Sequence, residues 1–273
     1  MLSINFYYRL KYLINKNSNY RVILSFLLDR VKHPFKKSKK KYFRNIHIEY
    51  LKTKNITTDF FSINAYYWKK FIGTLPENFK YLEIGSWEGN SALFIINNFK
   101  VEKVTCVDIW EDENFKELQS KNLNNFKTNM NEFSNKVETF KGTSDNFFLN
   151  HKEKFDVIYV DGSHEADQVY KDIKNSWDIL NISGILICDD YFYGNIYENP
   201  DNVPSISINK FINELLKIII ASTDPKKGIK CRNIPDLFAP ITEIPFIQKR
   251  NESNPGNITT YAKVKKNGLS NII

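Results

Sequence analysis

The sequence is short of cysteine. Cys106, Cys188 and Cys231 stand far apart in a chain of 273 residues, a spacing that supports neither a disulfide framework nor a zinc site. A reducing, cytoplasmic setting is the expectation that follows. Long apolar runs are missing as well. The longest near the N-terminus, Val22 to Leu28, falls far short of the roughly 20 residues that cross a bilayer. Arg9, Lys11, Lys16 and Arg21 precede it, but no small-residue cleavage site follows, so no signal peptide is expected. Internal repeats are absent, and the only biased tract is one lysine-rich run. What the chain does have is material for a core: 42% hydrophobic and 15% aromatic residues exclude wholesale disorder.

Charge is unevenly spread. The net charge is +8, and Lys32, Lys36, Lys37, Lys39, Lys40, Lys41, Arg44, Lys52 and Lys54 crowd one segment opposed by Glu49. As a partner site, such a run suits nucleic acid, the anionic surface of a membrane or an acidic glycan. As plain structure it is a solvated linker, with Pro34 as a breaker. Spacing of apolar residues predicts one or two short helices over residues 1–31. It predicts a further helical segment from Asp59, an N-cap candidate, through Trp68 and Phe71 to Gly73.

From residue 80 the pattern changes. Tyr81–Ile84, Val104–Val107, Val137–Phe140, Val157–Val160 and Ile185–Cys188 are short apolar runs suited to buried parallel strands. Amphipathic segments of crossover-helix length lie between them at 90–99, 113–130 and 165–180. The fold class expected is α/β, a doubly wound, mostly parallel, Rossmann-like sheet. Residues 1–56 read as a basic, partly helical extension and 57–273 as the domain itself. After Ser207 a helix over Phe211–Ile218 and a strand at Thr260–Val264 are expected.

The stretch "YLEIGSWEGNS" at 81–91 takes a strand straight into two glycines four apart. The three-glycine dinucleotide fingerprint is absent, and Glu83 would sit badly beside a pyrophosphate but well beside a positive charge. Asp108, 23 positions after Gly85 (108 − 85), stands where an acid accepts hydrogen bonds from ribose hydroxyls. A nucleoside with an amino-acid tail fits this set; a tight turn with incidental glycines is the plain alternative. Further on, Asp161 and the pair Asp189-Asp190 each end a predicted strand. Carboxylates gathered there repel one another unless a cation such as Mg²⁺ neutralises them. His164, three residues after Asp161, could take a proton from a bound hydroxyl. Ordinary turns and caps are again the alternative. Tyr191, Phe192, Tyr193 and Tyr197 read either as a lid over an acceptor or as packing.

Glu83-Ile84-Gly85-Ser86-Trp87-Glu88-Gly89-Asn90-Ser91 followed by Asp108 resembles motif I and its acidic partner in class I S-adenosylmethionine-dependent methyltransferases. The resemblance implies that Gly85 and Gly89 line the methionine portion and that Ser91 helps hold its carboxylate. Asp108 would grip the ribose and Ser144, in "KGTSDNF", the adenine, with Glu83, Ser86 and Asp161 in the same site. The sequence D-G-S-H at Asp161–His164, an L-x-x-x-G turn at Leu180–Gly184 and D-D-Y at Asp189–Tyr191 resemble the methyltransferase domain 24 group, related to macrolide-sugar O-methyltransferases. That implies Asp161, Asp189 and Asp190 as Mg²⁺ ligands and His164 as the base. Asp189 stands where those relatives often carry Glu. Over roughly residues 60–215, the resemblance implies an O-methyltransferase for a small-molecule, sugar or glycan acceptor. A nucleic-acid acceptor is disfavoured, because no N/D-P-P-Y-type motif follows the fourth strand. A non-catalytic binding domain is the third reading, and a homo-oligomer is compatible with all of them.

Overall fold

All five apolar runs expected as strands fold as strands; the first, second, fourth and fifth bury most of their side chains, while Val137–Lys141, at the edge of the sheet, buries none. A computed structural model describes residues 4–16, 18, 20–111, 116–193, 201–222 and 246–248. In chain order the elements are α1 (Ile4–Asn15), α2 (Tyr20–Leu51), α3 (Ala65–Ile72), β1 (Phe79–Ile84), α4 (Asn90–Asn98), β2 (Val101–Asp108) and α5 (Lys116–Met130). Then come β3 (Val137–Lys141), α6 (Ser144–Asn150), β4 (Phe155–Val160), α7 (Ala166–Ile179), β5 (Leu180–Cys188), α8 (Pro204–Ser222) and β6 (Phe246–Gln248). The architecture is the expected Rossmann-like α/β arrangement with a helical N-terminal segment. Two compact units divide the chain: Lys32–Gly162, and Met1–Val31 together with Ser163–Ile273.

In Lys32–Gly162 the strands lie parallel in the order β3-β2-β1-β4. The chain winds outward from β1 through β2 to β3, then returns to the far side of β1 with β4. Winding direction therefore reverses between β1 and β4, and a crevice opens at their carboxyl ends. Gly85 and Asp161 leave those ends side by side, tied by hydrogen bonds from Asp161 N to the Ile84 carbonyl and from Gly85 N to the Val107 carbonyl, both 2.8 Å. At the opposite end Lys80 and Lys103 share Glu153 at 2.9 and 2.8 Å. Asp59 is not the N-cap expected: its Oδ1 accepts the Ser62 N–H at 2.8 Å at a short 3₁₀ turn, Ser62–Asn64, whose N-cap is Phe61, and α3 then starts behind Asn64. Helix α3 delivers Trp68, fully buried, against Phe61 and Tyr159. Helix α6 was not expected; Thr143 caps it by accepting the Asn146 N–H, and Phe147 and Phe148 bury its inner face.

The second unit is held to its N-terminal helices by a buried polar cluster. Tyr191, with no exposed surface, donates its hydroxyl to Asn209 Oδ1 at 2.6 Å. Its single proton being used there, the 2.7 Å contact with Ser18 Oγ must be donated by the serine. Tyr12 reaches Ser205 at 2.7 Å, and the rings of Tyr12 and Phe26 close on Phe192. Tyr191 and Phe192 are thus packing rather than lid, while Tyr197 lies outside the described residues. Strand β6 pairs antiparallel with β5; the strand expected at Thr260–Val264 also lies outside the described residues.

Two expectations fail in the N-terminal region. The lysine-rich run is not a linker, and Pro34 does not break it, for α2 continues from Tyr20 to Leu51. Pro34 has no N–H to give the Arg30 carbonyl, at a cost of about 3 kcal/mol. Buried contacts on both sides outweigh that cost: Val22 and Phe26 before the proline, His47 and Leu51 after it.

Replacing Tyr191 by Phe should destabilise the fold by roughly 1–3 kcal/mol, since it strands the Ser18 and Asn209 groups in a dry interior. Replacing Lys80 by Ala in the solvent-screened ion-pair cluster should shift the midpoint far less. Urea unfolding midpoints compare the two.

Candidate functional site

Near the carboxyl end of β1, beside β4, lies a carboxylate sealed from solvent. Glu83 has no exposed surface. Its Oε2 accepts the Tyr81 hydroxyl at 2.7 Å and the Ser91 hydroxyl at 2.6 Å. Its Oε1 and the buried Ser86 Oγ make no hydrogen bond of good geometry among the described residues, although the Ser86 hydroxyl and the Cys106 thiol lie close enough to favour the charged carboxylate. A buried acceptor left unmet costs about 1–3 kcal/mol, more if charged. Loss of solvent outweighs the hydroxyl bonds and pushes the Glu83 carboxyl up to about 7. The residue is thus poised to ionise when a positive group arrives.

Around it the sequence-predicted residues take distinct parts. Gly85, at φ +91°, is obligatory because a side chain there would run into the Asp161 carbonyl and Gly162. Gly89, at φ +85°, starts α4, and the space beside it is filled by the Met130 methyl and the Phe126 ring. Both glycines serve close backbone packing. Ser91 commits its hydroxyl to Glu83. Asp108 ends β2 and accepts the N–H of Trp87 on Oδ2 at 2.9 Å and that of Trp110 on Oδ1 at 2.8 Å. Burial pushes its carboxyl upward against those N–H groups, which favour the charged form. The N–H groups of Ser86 and Ile109 also favour its charged form. Ser144, half-buried, opens α6 just past β3, and Asp161 accepts the Tyr159 hydroxyl at 2.8 Å.

The other predicted residues belong to the second unit. His164 Nε2 lies 2.7 Å from Asp190 Oδ2, and its ring packs against Tyr193 with centroids 4.0 Å apart. Asp190 sits at φ 57°, a strained angle for a residue with a side chain. It is held there by its N–H bond to Asp189 Oδ1 at 2.8 Å and by the Tyr193 N–H on its carbonyl at 3.0 Å. A carboxylate on one imidazole nitrogen fixes the ring and leaves the other to exchange a proton. The sequence alone does not reveal that pairing, since it lists Asp190 with the acids and His164 apart.

Residues 82–191 match the family model described as a methyltransferase domain. The match covers the stretch from β1 to the end of β5 and marks it as similar to a methyltransferase domain. No curated protein matches it by sequence. Among solved structures it is similar to the MycE methyltransferase from the mycinamycin biosynthetic pathway, in complex with Mg and SAH, at 16% identity and a TM-score of 0.48, covering 78% of this chain and 56% of that one. It is also similar to the O-methyltransferase TomG from Streptomyces achromogenes, at 13% identity and 0.40, covering 65% and 86%. A precorrin-6y C5,15-methyltransferase from Geobacter metallireducens is similar at 14% and 0.38, covering 49% and 63%. The chain thus spans 56% of the MycE chain's length.

Two residues that no sequence motif marks hold the glycine loop. Glu88, buried, accepts Thr57 N at 2.6 Å, Thr57 Oγ1 at 2.8 Å and Asn125 Nδ2 at 2.7 Å, and its carbonyl takes Asn129 Nδ2 at 2.9 Å. His47 meets Asn90 Oδ1 at 2.8 Å with its pKa lowered by burial, and so it packs as a neutral ring. The signal for Glu88 was an acid between Trp87 and Gly89, flanked by residues that bury; its partners at 57 and 125 are too distant to read from spacing.

Because the folded Glu83 carboxyl titrates above its unfolded value, its protonated form is the one the fold favours. Stability from this group is full below about pH 4.5 and is lost as pH rises through about 7, by an amount on the order of 3 kcal/mol. Thermal melting of the ligand-free protein should fall between pH 5 and 8. Glu83→Gln, a mimic of the neutral acid, should flatten that slope.

Proposed function

We propose that this protein moves a methyl group from S-adenosylmethionine to a hydroxyl of a small molecule, sugar or glycan, with Mg²⁺ assisting. The single observation that carries the reading is the His164–Asp190 pair, an imidazole fixed by a carboxylate. The Glu83 oxygen without a well-formed hydrogen bond supports the donor: a buried acceptor in that state suits a ligand bringing an ammonium group. In this reading Glu83, Gly85, Ser86, Gly89, Ser91, Asp108 and Ser144 form the donor site, with Asp108 on the ribose. Asp161, Asp189 and Asp190 would hold the Mg²⁺, an all-oxygen set suited to a hard divalent ion.

S-adenosylmethionine, when bound, supplies a methyl on positively charged sulfur, so the acceptor oxygen needs only to lose its proton. Asp190 holds His164 in one orientation, and His164 takes that proton. An alcohol with a pKa near that of water, about 15.7, lies some 12 kcal/mol from ionised at pH 7. A histidine contributes about 10²–10⁴-fold, roughly 3–5 kcal/mol. The remainder falls to charge stabilisation on the same oxygen, which is what Mg²⁺ supplies. Base and cation therefore belong to one device.

Incubation with radiolabelled S-adenosylmethionine, Mg²⁺ and a panel of sugars, glycans and phenols tests the reading. His164→Ala should lower kcat about 10²–10⁴-fold while leaving donor affinity within about twofold. Full activity in that variant would remove His164 from the chemistry, and no transfer to any hydroxyl would remove O-methylation.

A further inference from the structure

The lysine-rich helix α2 carries a feature that methyl transfer does not use. Its 32 residues extend about 48 Å at 1.5 Å each. The inner side is occupied: Val22, Phe26, His47 and Leu51 are buried, and Lys36 and Lys40 lie over the Tyr67 ring. The outer side bears Leu24, Leu28, Val31, Phe35, Tyr42 and Ile46, all exposed, Phe35 by 86% and Val31 by 71%. At 100° per residue these six fall within an arc of about 60°. Exposed Lys32 and Lys39 flank the stripe on one side and Lys41 on the other, with Lys37 and Arg44 behind it. Of the two acids in the helix, Asp29 is buried and Glu49 pairs with Lys52 at 2.8 Å.

We infer that the outer face of α2 docks on a membrane surface rich in anionic lipid, lying in the plane of the headgroups. A narrow apolar stripe bordered by lysines is the arrangement that satisfies both parts of such a surface, acyl chains below and phosphates beside. Charge decides against the other occupants. A second copy would bring two strongly basic helices together, with like charges opposed along their length. A nucleic acid would meet the lysines but leave Leu24, Leu28, Val31 and Ile46 in water, since aliphatic side chains offer no stacking face. Among the described residues no helix is long and apolar enough to cross a membrane, so the contact is peripheral. The inference stands apart from the methyl-transfer reading and does not fail with it.

Flotation of the full chain tests it, using vesicles of phosphatidylcholine alone and vesicles that also contain phosphatidylserine. The protein should float with the second and stay behind with the first, and rising salt should release it. Replacing Lys32, Lys39 and Lys41 by Gln should lower partitioning roughly 100-fold. Val31→Ser with Phe35→Ser should weaken it at least tenfold without moving the unfolding midpoint, because both side chains are exposed. Equal binding to neutral vesicles, no binding to either, or wild-type binding by the variants would overturn the inference. So would a dimer that the Val31 and Phe35 changes dissolve while vesicles are ignored.

Discussion

A carboxylate shut away from water at the end of β1 is the constraint on which the crevice depends. Glu83 is fully buried, with one oxygen held by Tyr81 and Ser91 and the other without a hydrogen bond of good geometry. Such a group is costly in the ligand-free protein. The surroundings are built to tolerate it: Ser91 is fixed by the start of α4, and α4 can start there because Gly89 turns at positive φ against Met130 and Phe126. Glu88 then clamps the same loop to Thr57 and Asn125. Fold and site are one problem here. The turn that lets β1 pass into α4 also places Ser91 against the buried carboxylate.

The second unit solves a different problem, that of holding an imidazole and an acid pair in register. Asp190 occupies a backbone angle that favours glycine. It keeps an aspartate because the carboxylate engages His164 and its backbone is tied at both N–H and carbonyl. One residue further, Tyr191 is buried against Ser18 and Asn209. The N-terminal helices are thereby coupled to the acid pair through Tyr191 and the adjacent Phe192. Strain at Asp190 is maintained by packing supplied from the far end of the sequence, as strained functional residues require.

What could be read from the sequence was whatever repeats locally. Strands β1 to β5 show as apolar runs, the crossover helices as amphipathic spacing, and the glycine turn with Asp108 as a motif. What could not be read depends on partners distant in the chain. Pro34 signals a break, and only buried contacts on either side of it keep α2 whole. Tyr191 and Phe192 look equally like a lid or a core until Ser18, Tyr12 and Phe26 close over them. Glu88 has no motif at all, because Thr57, Asn125 and Asn129 meet it from three separate segments. Helix α6 had a signal in Thr143 followed by Phe147 and Phe148, short enough to pass for a loop.

The central claim is that Glu83 receives the positively charged end of a methyl donor. Calorimetric titration of the protein with S-adenosylmethionine at pH 7, with and without Mg²⁺ and in buffers of different ionisation enthalpy, tests it most directly. Binding accompanied by release of a proton is the predicted result, because a cation beside Glu83 favours its ionised form. No binding under either condition, or binding with no proton released, would contradict it.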